Sequence, residues 1–409
     1  MAIGDIIVGI DIGTSKVNVV VGEVNSFNQV EFIATSECKC FGMKKSKIID
    51  EEEISSAISK AIQDAEELAN IKIHSAYVTI PGKYITIVQN SIVKEAKDKY
   101  VGISTKDVNS AIMQVRDIDI PDDKVVIDII TNEFSLDNGR IVDDPVGALS
   151  STFTVKGQVI LADKEYVRQL TNIFKKAGME IDGIIPNVFA ERTLILDQNE
   201  INDNVMILDI GAGNTDIGVF NGQAFIYTNT IPLGGDNITN DISLVFNISE
   251  EEADRLKKQY GLALRSFIDN DTDIMLNTYK GEERTKTIKS SELIEVIEAR
   301  VEEIFSLVNK DITAAGVKSN INNVILTGQG ITTISKSDVA GKIILNIPVK
   351  ISTGRLISTI KASCRSSYAL VRYISTRPFA KNVASKIDIK TDDSFLKTLL
   401  ERVKEFFYT

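Results

Sequence analysis

Two short turns hold the residues whose types and spacing could do chemistry. Asp11-Ile12-Gly13-Thr14-Ser15-Lys16 joins an apolar run, Ile6 to Ile10, to a second one, Val17 to Val21. Asp209-Ile210-Gly211-Ala212-Gly213-Asn214-Thr215 does the same between Val205 to Leu208 and Ile217 to Phe220. Glycine lets the backbone turn sharply and leaves its amide donors uncovered. Successive amides in such a turn form a concave site for phosphate oxygens. The hydroxyls of Thr14, Ser15 and Thr215 add donors, and Lys16 adds a positive charge. Asp11 and Asp209, each closing a strand, suit a hydrated Mg²⁺, which keeps most of its waters and takes one or two carboxylates. A third apolar strand ends in Thr327-Gly328-Gln329-Gly330, where glycine lets a flat base lie against the backbone. One Asp-x-Gly turn alone is most simply an ordinary hairpin. Two related turns and a third glycine turn together read as a nucleotide site. It is neither the GxxxxGK[ST] phosphate loop nor a GxGxxG dinucleotide motif.

The elements that must position these turns repeat. Three apolar strands, Ile6 to Ile10, Val17 to Val21 and Val30 to Ala34, precede a helix from Glu51 to Ala69 and a strand from Ala76 to Ile80. Near residue 205 the pattern restarts: strand, Asp-Ile-Gly, strand, then a third strand from Ala224 to Thr230 and a helix from Asp236 to Phe246. A repeat at this distance suggests duplicated α/β domains and not a solenoid. Between the halves, strands at Ile85 to Val88, Val125 to Ile130 and Val155 to Leu161 and a helix at Thr105 to Val115 predict an inserted α+β subdomain. Ser249 to Asn309 reads as polar helix interrupted by a loop from Ile268 to Lys286.

Bulk properties narrow the function. The 409 residues carry a net charge of −11, which argues against a nucleic-acid partner, since duplex affinity rests on basic residues meeting phosphates. No apolar run reaches the length of about 18 residues that a spanning helix needs, and the first residues lack the pattern of a secretion signal. Cys38, Cys40 and Cys364 fit neither a zinc pair nor a CxxC and read as free thiols of a reducing cytoplasm. His74, the single histidine, excludes a histidine metal site and a Ser/His/Asp triad.

The tail is of a different kind. After a polar stretch from Ser375 to Thr391, Phe395, Leu396, Leu399, Leu400, Val403, Phe406 and Phe407 fall on one helical stripe, with Lys397, Glu401, Arg402, Lys404 and Glu405 opposite. Asp393 or Ser394 can cap the start. This separation is that of a helix lying in a membrane interface. Ser375 to Thr409 holds seven basic and five acidic residues, so this end of an acidic chain approaches an anionic membrane surface most easily. The simpler alternative is a stripe packed on the body or on another protein.

Together, the two aspartate turns and the glycine turn resemble the phosphate-1, phosphate-2 and adenosine motifs of the superfamily of actin, heat-shock chaperones and hexokinase. Within it the chain resembles the FtsA family of actin-like bacterial cell-division proteins. The closer match rests on Gly9-Ile10-Asp11-Ile12-Gly13-Thr14-Ser15-Lys16, Gly42-Met43-Lys44-Lys45, Asn132-Glu133-Phe134, Asp144-Pro145-Val146-Gly147 and Lys257-x-x-Tyr260-Gly261. The resemblance implies actin-like (ribonuclease-H-like) duplicated domains around a nucleotide cleft, with the α+β insert and a C-terminal amphipathic helix. It implies subdomain 1A at 1–83 and 162–196, 1C at 84–161, 2A at 197–238 and 311–374, 2B at 239–310, a linker at 375–391 and the helix at 392–409. It also implies ATP and Mg²⁺ as ligands, with Asp254, Lys257, Lys258, Gly328, Gln329 and Gly330 near ribose and base. Relatives have a second glycine where this chain has Gln329, glycine where it has Ser46, and favour glycine where it carries Ala369.

For catalysis the candidates are Asn187, which can hold a water but is a poor base, and Glu191. The implied enzyme is at most a slow ATPase, with nucleotide acting as a structural ligand. By resemblance the partners are FtsZ (the tubulin-like division protein), further copies of the chain in a filament, and other division proteins. The place is the cytoplasmic face of the membrane at the septum. Two alternatives stand beside this reading: a sugar or acyl kinase of the same superfamily, and a pilus-assembly relative.

Overall fold

The computed structural model describes residues 5–25, 29–96, 101–197, 200–277, 285–352 and 361–376. Of the linker expected at 375–391, Ser375 and Thr376 belong instead to the helix Arg365–Thr376, and the rest, with the terminal helix, lies outside the described residues. The first half opens with an antiparallel meander, β1 (Asp5–Ile12), β2 (Lys16–Val24) and β3 (Val30–Lys39). A small ribbon, β4 (Met43–Lys44) and β5 (Lys47–Ile48), leads to α1 (Glu51–Ala69) and β6 (Ser75–Ile80). The insert follows as β7 (Ile85–Glu95), α2 (Thr105–Val115), β8 (Lys124–Leu136), β9 (Ile141–Val142) and β10 (Thr152–Asp163). The chain then returns through α3 (Lys164–Lys176), β11 (Glu180–Pro186) and α4 (Asn187–Ile195). The second half is β12 (Asn204–Ile210), β13 (Thr215–Asn221), β14 (Ala224–Ile231), α5 (Gly235–Phe246), α6 (Glu250–Tyr260), β15 (Asp273–Asn277), β16 (Thr285–Lys289), α7 (Ser290–Ala314), β17 (Asn323–Thr327), α8 (Ser337–Leu345), β18 (Val349–Ile351) and α9 (Arg365–Thr376).

The two main sheets have one topology. Their strand orders are β3-β2-β1-β6-β11 and β14-β13-β12-β17-β18. In each, a meander of three antiparallel strands is extended by strands running parallel to the first. Duplication therefore shows in pairing and not only in sequence, and the fold is actin-like α/β. Local chemistry explains the elements. Asp50 caps α1 by accepting the Glu53 amide at 3.0 Å, and Ile54, Ala57, Ile58, Ala61, Ile62 and Ala65 form its buried stripe. Ser104 and Asp107 cap α2 reciprocally.

The halves exchange helices. α9, from the second half, packs on β1 and β2, while α4, from the first, packs on β12, β13 and α9. Bare glycines make room for both: a Cβ on Gly22 would lie 2.6 Å from Val371 of α9, and one on Gly218 would lie 2.7 Å from Val188 of α4. Ala369 of α9 is fully buried. The insert keeps its own core, built on Val155, Val159, Phe153, Ile129 and Val115. It also docks on the second half. The fully buried Gln158 of β10 donates to the Phe225 carbonyl at 2.6 Å and accepts the Phe225 amide at 2.9 Å, as a neighbouring strand would.

Two expectations change. The stretch read as a loop from Ile268 to Lys286 contains a two-stranded ribbon, β15 paired with β16 in antiparallel register. Its strands alternate, with Ile274, Leu276 and Ile288 buried, but their polar content hid the period. The Lys45-Ser46 turn, with φ of 51° and 56°, holds a conformation that favours glycine without having one. Lys83 Nζ donates to the Lys45 carbonyl and Tyr84 Oη to the Ser46 carbonyl, both at 2.8 Å, which fixes the turn from outside.

Candidate functional site

A cavity of about 690 Å³ lies between the two halves. The β1–β2 turn brings Asp11, Gly13, Thr14, Ser15 and Lys16 to it, and the β12–β13 turn brings Asp209, Gly211, Ala212, Gly213 and Asn214. The two turns have the same internal closure: the Gly13 amide donates to the Lys16 carbonyl and the Gly211 amide to the Asn214 carbonyl, each at 2.9 Å. Their tips meet, with Asn214 Nδ2 donating to Thr14 Oγ1 at 3.4 Å. Gly328, Gln329 and Gly330 follow β17, and Asp254, Lys257 and Lys258 lie on α6; all six line the same cavity. Gly328 has φ +92°, and a Cβ there would lie 2.2 Å from the Ile210 carbonyl, so glycine is required by both conformation and space.

Thr215 is the exception and a correction. It is fully buried, its hydroxyl donates to the Leu233 carbonyl at 2.8 Å, and it does not line the cavity. Lys257 differs from a solvated helix lysine: it is 4% exposed and donates to Thr239 Oγ1 at 2.7 Å and to the Gly235 carbonyl at 3.2 Å. Asp254 pairs with Lys257 at 2.9 Å and with Lys258 at 2.5 Å, so α6 presents a carboxylate held by two cations. Lys16 pairs with Glu37 at 3.2 Å. The seven tail residues from Phe395 to Phe407 lie outside the described residues.

The structure adds Thr79, Asp216, Ser366 and Arg365 to the cleft. Thr79 Oγ1 donates to Asp11 Oδ1 at 2.6 Å. Asp216 faces Asp209 across the β12–β13 ladder, as Asn18 faces Asp11 across β1–β2. Thr230 Oγ1 donates to Asp216 Oδ1, and the Lys83 amide donates to Thr230 Oγ1 at 3.2 Å. On α4, Asn187 Nδ2 donates to Asp209 Oδ2 at 3.4 Å, and Glu191 accepts from Ser366 Oγ at 3.1 Å. Asn187 Oδ1 and Glu191 Oε2 are buried with no partner among the described residues.

Burial raises the affinity of these acids for protons. Asp209 is pushed up to about 7, by burial first and then by the Asp216 charge, against the opposing pull of Arg365. Asp216 is pushed up to about 6 by burial, against the Thr230 hydrogen bond. Asp11 is raised by burial, and Glu191 is raised well above the ordinary range by burial and the Asp209 charge. These cleft acids therefore hold more protons in the folded protein than in the unfolded chain between the ordinary carboxylate range and about pH 7, and their contribution to stability is lost as pH rises through that window. Nucleotide-free protein should melt a few degrees lower at pH 8 than at pH 5.5. Asp216→Asn should flatten that slope in calorimetric scans, and an unchanged slope would contradict this electrostatic account.

A divalent cation can take the place of those protons, and the donor set fits Mg²⁺ bound through water. Among the described residues no group of three or more His, Cys, Asp or Glu is placed to hold a metal ion directly. Asp11 and Asp209 would be its carboxylate partners, and the ion would supply charge neutralisation beside phosphates.

Comparison with known proteins gives the family and the fold. The family profile described as "Cell division protein FtsA" matches residues 206–372, and "SHS2 domain inserted in FTSA" matches residues 82–161, the insert. A Cell division protein FtsA from Bacillus subtilis is 32% identical over 79% of this chain and 73% of its own length. The chain belongs to the FtsA family. Other FtsA proteins extend the likeness: one from Pseudomonas aeruginosa is 29% identical over 85% of this chain and 83% of its own, and one from Buchnera aphidicola is 26% identical over 98% and 97%. Among solved structures, a PilM-PilN type IV pilus biogenesis complex has a TM-score of 0.57 at 14% identity, covering 91% of this chain and 99% of the other. MreB5 of Spiroplasma citri bound to ADP has a TM-score of 0.52 at 14% identity, covering 91% and 97%. These two likenesses concern the fold alone.

Proposed function

We propose that this FtsA-family protein binds ATP with Mg²⁺ in the cleft between its halves, self-associates into filaments, and holds the FtsZ ring at the cytoplasmic face of the membrane at the septum. The observation that carries the nucleotide reading is the meeting of two turns about 200 residues apart in sequence, joined by Asn214 and Thr14, over a floor of buried carboxylates. Phosphates would lie along Gly13, Thr14, Ser15, Lys16, Gly211, Ala212, Gly213 and Asn214. The base and ribose would lie against Gly328, Gln329, Gly330 and the Asp254–Lys257–Lys258 group. Hydrolysis is slow at most in this reading: Asn187 can orient water but cannot take its proton, and Glu191, raised by burial and the Asp209 charge, is held by Ser366. Subdomain limits at 1–83 and 162–196, 84–161, 197–238 and 311–374, and 239–310 belong to the same reading.

Residues 392–409 form the membrane contact in this reading. Such a short helix is marginal alone in water and folds when its apolar face is covered. Each fully buried apolar side chain would contribute roughly 1.5–3 kcal/mol, of which interfacial depth and ordering leave a fraction. The test is liposome co-sedimentation of the whole chain with ATP, with and without FtsZ. Leu399→Glu or Phe406→Glu should release the protein at least tenfold, a modest fraction of the cost of burying an unpaired charge. Nucleotide binding should remain. Lys397→Glu, on the polar face, should have a small effect that fades in salt. Stripe variants that stay on liposomes while the body loses thermal stability would place the helix on the body and overturn the membrane reading.

A further inference from the structure

Among the described residues five basic side chains line the cleft, and four of them have evident other duties or lie at its rim. Lys16 pairs with Glu37, Lys257 and Lys258 pair with Asp254, and Lys39 is exposed. The fifth, Arg365, begins α9 and lies at the floor, close enough for its charge to act on Asp209 and Glu191. Among the described residues no carboxylate is within ion-pair distance of it, and its one hydrogen bond runs from Nη1 to the neutral Thr327 Oγ1. Among the described residues its Nε–H is buried with no partner. A guanidinium carries five N–H donors in a rigid fork. Leaving them unmatched at the bottom of a half-closed cavity costs free energy, and the acceptor geometry that best matches them is that of phosphate or carboxylate oxygens.

We propose that Arg365 is a phosphate-binding residue of this cleft and receives the terminal phosphate of a bound nucleoside triphosphate. This rests on the nucleotide reading above. With the base against Gly328–Gly330 and the inner phosphates between the two turns, the outermost phosphate is the one that approaches the floor made by α4 and α9. Arg365 then neutralises that phosphate from the floor of the cleft. The residue makes the cleft sensitive to phosphate number: a diphosphate leaves the fork unfilled.

The experiment measures the dissociation constants of Mg-ATP and Mg-ADP by calorimetry on the whole chain and on Arg365→Ala and Arg365→Gln. Both variants remove the charge, and glutamine retains a donor for Thr327 if alanine fails to fold. The expected result is ATP binding weakened roughly tenfold to a hundredfold, the worth of a charged hydrogen bond, with ADP binding changed much less. Thermal melts exclude unfolding as the cause. A folded variant whose ATP-to-ADP ratio equals that of the unchanged protein overturns the role of Arg365 alone. Unchanged protein that binds neither nucleotide overturns the cleft reading, and this inference with it.

Discussion

Valine at position 211 should abolish nucleotide binding, by a hundredfold or more in a fluorescence titration, and leave the protein folded. The reason is local geometry. A Cβ on Gly211 would meet the Asn214 carbonyl at 3.5 Å, an ordinary contact. The neighbouring glycines of the cleft have no such room. A Cβ on Gly213 would lie 2.6 Å from Thr14 Oγ1, one on Gly235 2.5 Å from the Gly330 Cα, and one on Gly330 2.1 Å from the Gly211 carbonyl. Bulk added at 211 therefore occupies the space proposed for phosphate without displacing backbone. Gly330→Val serves as the contrast and should fail to fold. Unchanged ATP affinity in a folded Gly211→Val protein would remove the cleft from consideration as the nucleotide site.

Arg192→Ala should destabilise the whole protein by about 3–5 kcal/mol, the range for breaking a buried charged network. Arg192 is 6% exposed and lies with its guanidinium 4.9 Å over the Phe220 ring. Its Nη2 donates to the Ile201 and Gly222 carbonyls at 2.6 and 2.7 Å, and Nη1 to the Gln223 carbonyl at 3.2 Å. Truncation leaves three carbonyls without that donor and opens a cavity beside an aromatic cluster. Urea unfolding should show a lower midpoint with an unchanged slope. Saturating Mg-ATP should restore part of the loss by linkage if the cleft binds it. A midpoint within error of the original would show that these hydrogen bonds contribute little.

Much of the fold was legible because its elements obey simple periods. The α1 helix is bounded as its apolar spacing predicts, and the strands leading into both aspartate turns are continuous apolar runs. In the candidate site, the glycines singled out in the sequence, Gly13, Gly211, Gly213, Gly328 and Gly330, all line the one cavity. Asp216 was missed although a signal existed: Asp11 faces Asn18 and Asp209 faces Asp216, at one spacing, once the turns are closed as hairpins. Thr215 was misplaced because its hydroxyl, next to the turn, is turned inward to the Leu233 carbonyl. Arg365 and Thr79 carried no signal of their own. They reach the cleft through helix crossing and parallel pairing, which only the assembled sheets determine.

The Gln158–Phe225 pair has a mechanical consequence. The insert is threaded covalently into the first half, between β6 and α3, yet its amide clasp grips the outer strand of the second. From that strand, β14, Thr230 reaches both Asp216 in the cleft and the amide of Lys83 at the root of the insert. The insert is thus a lever with its pivot in one half and its grip in the other. Rotation of the halves about the cleft must either open the clasp or swing the lever, and the far tip of the insert then travels farther than the residues that started the movement.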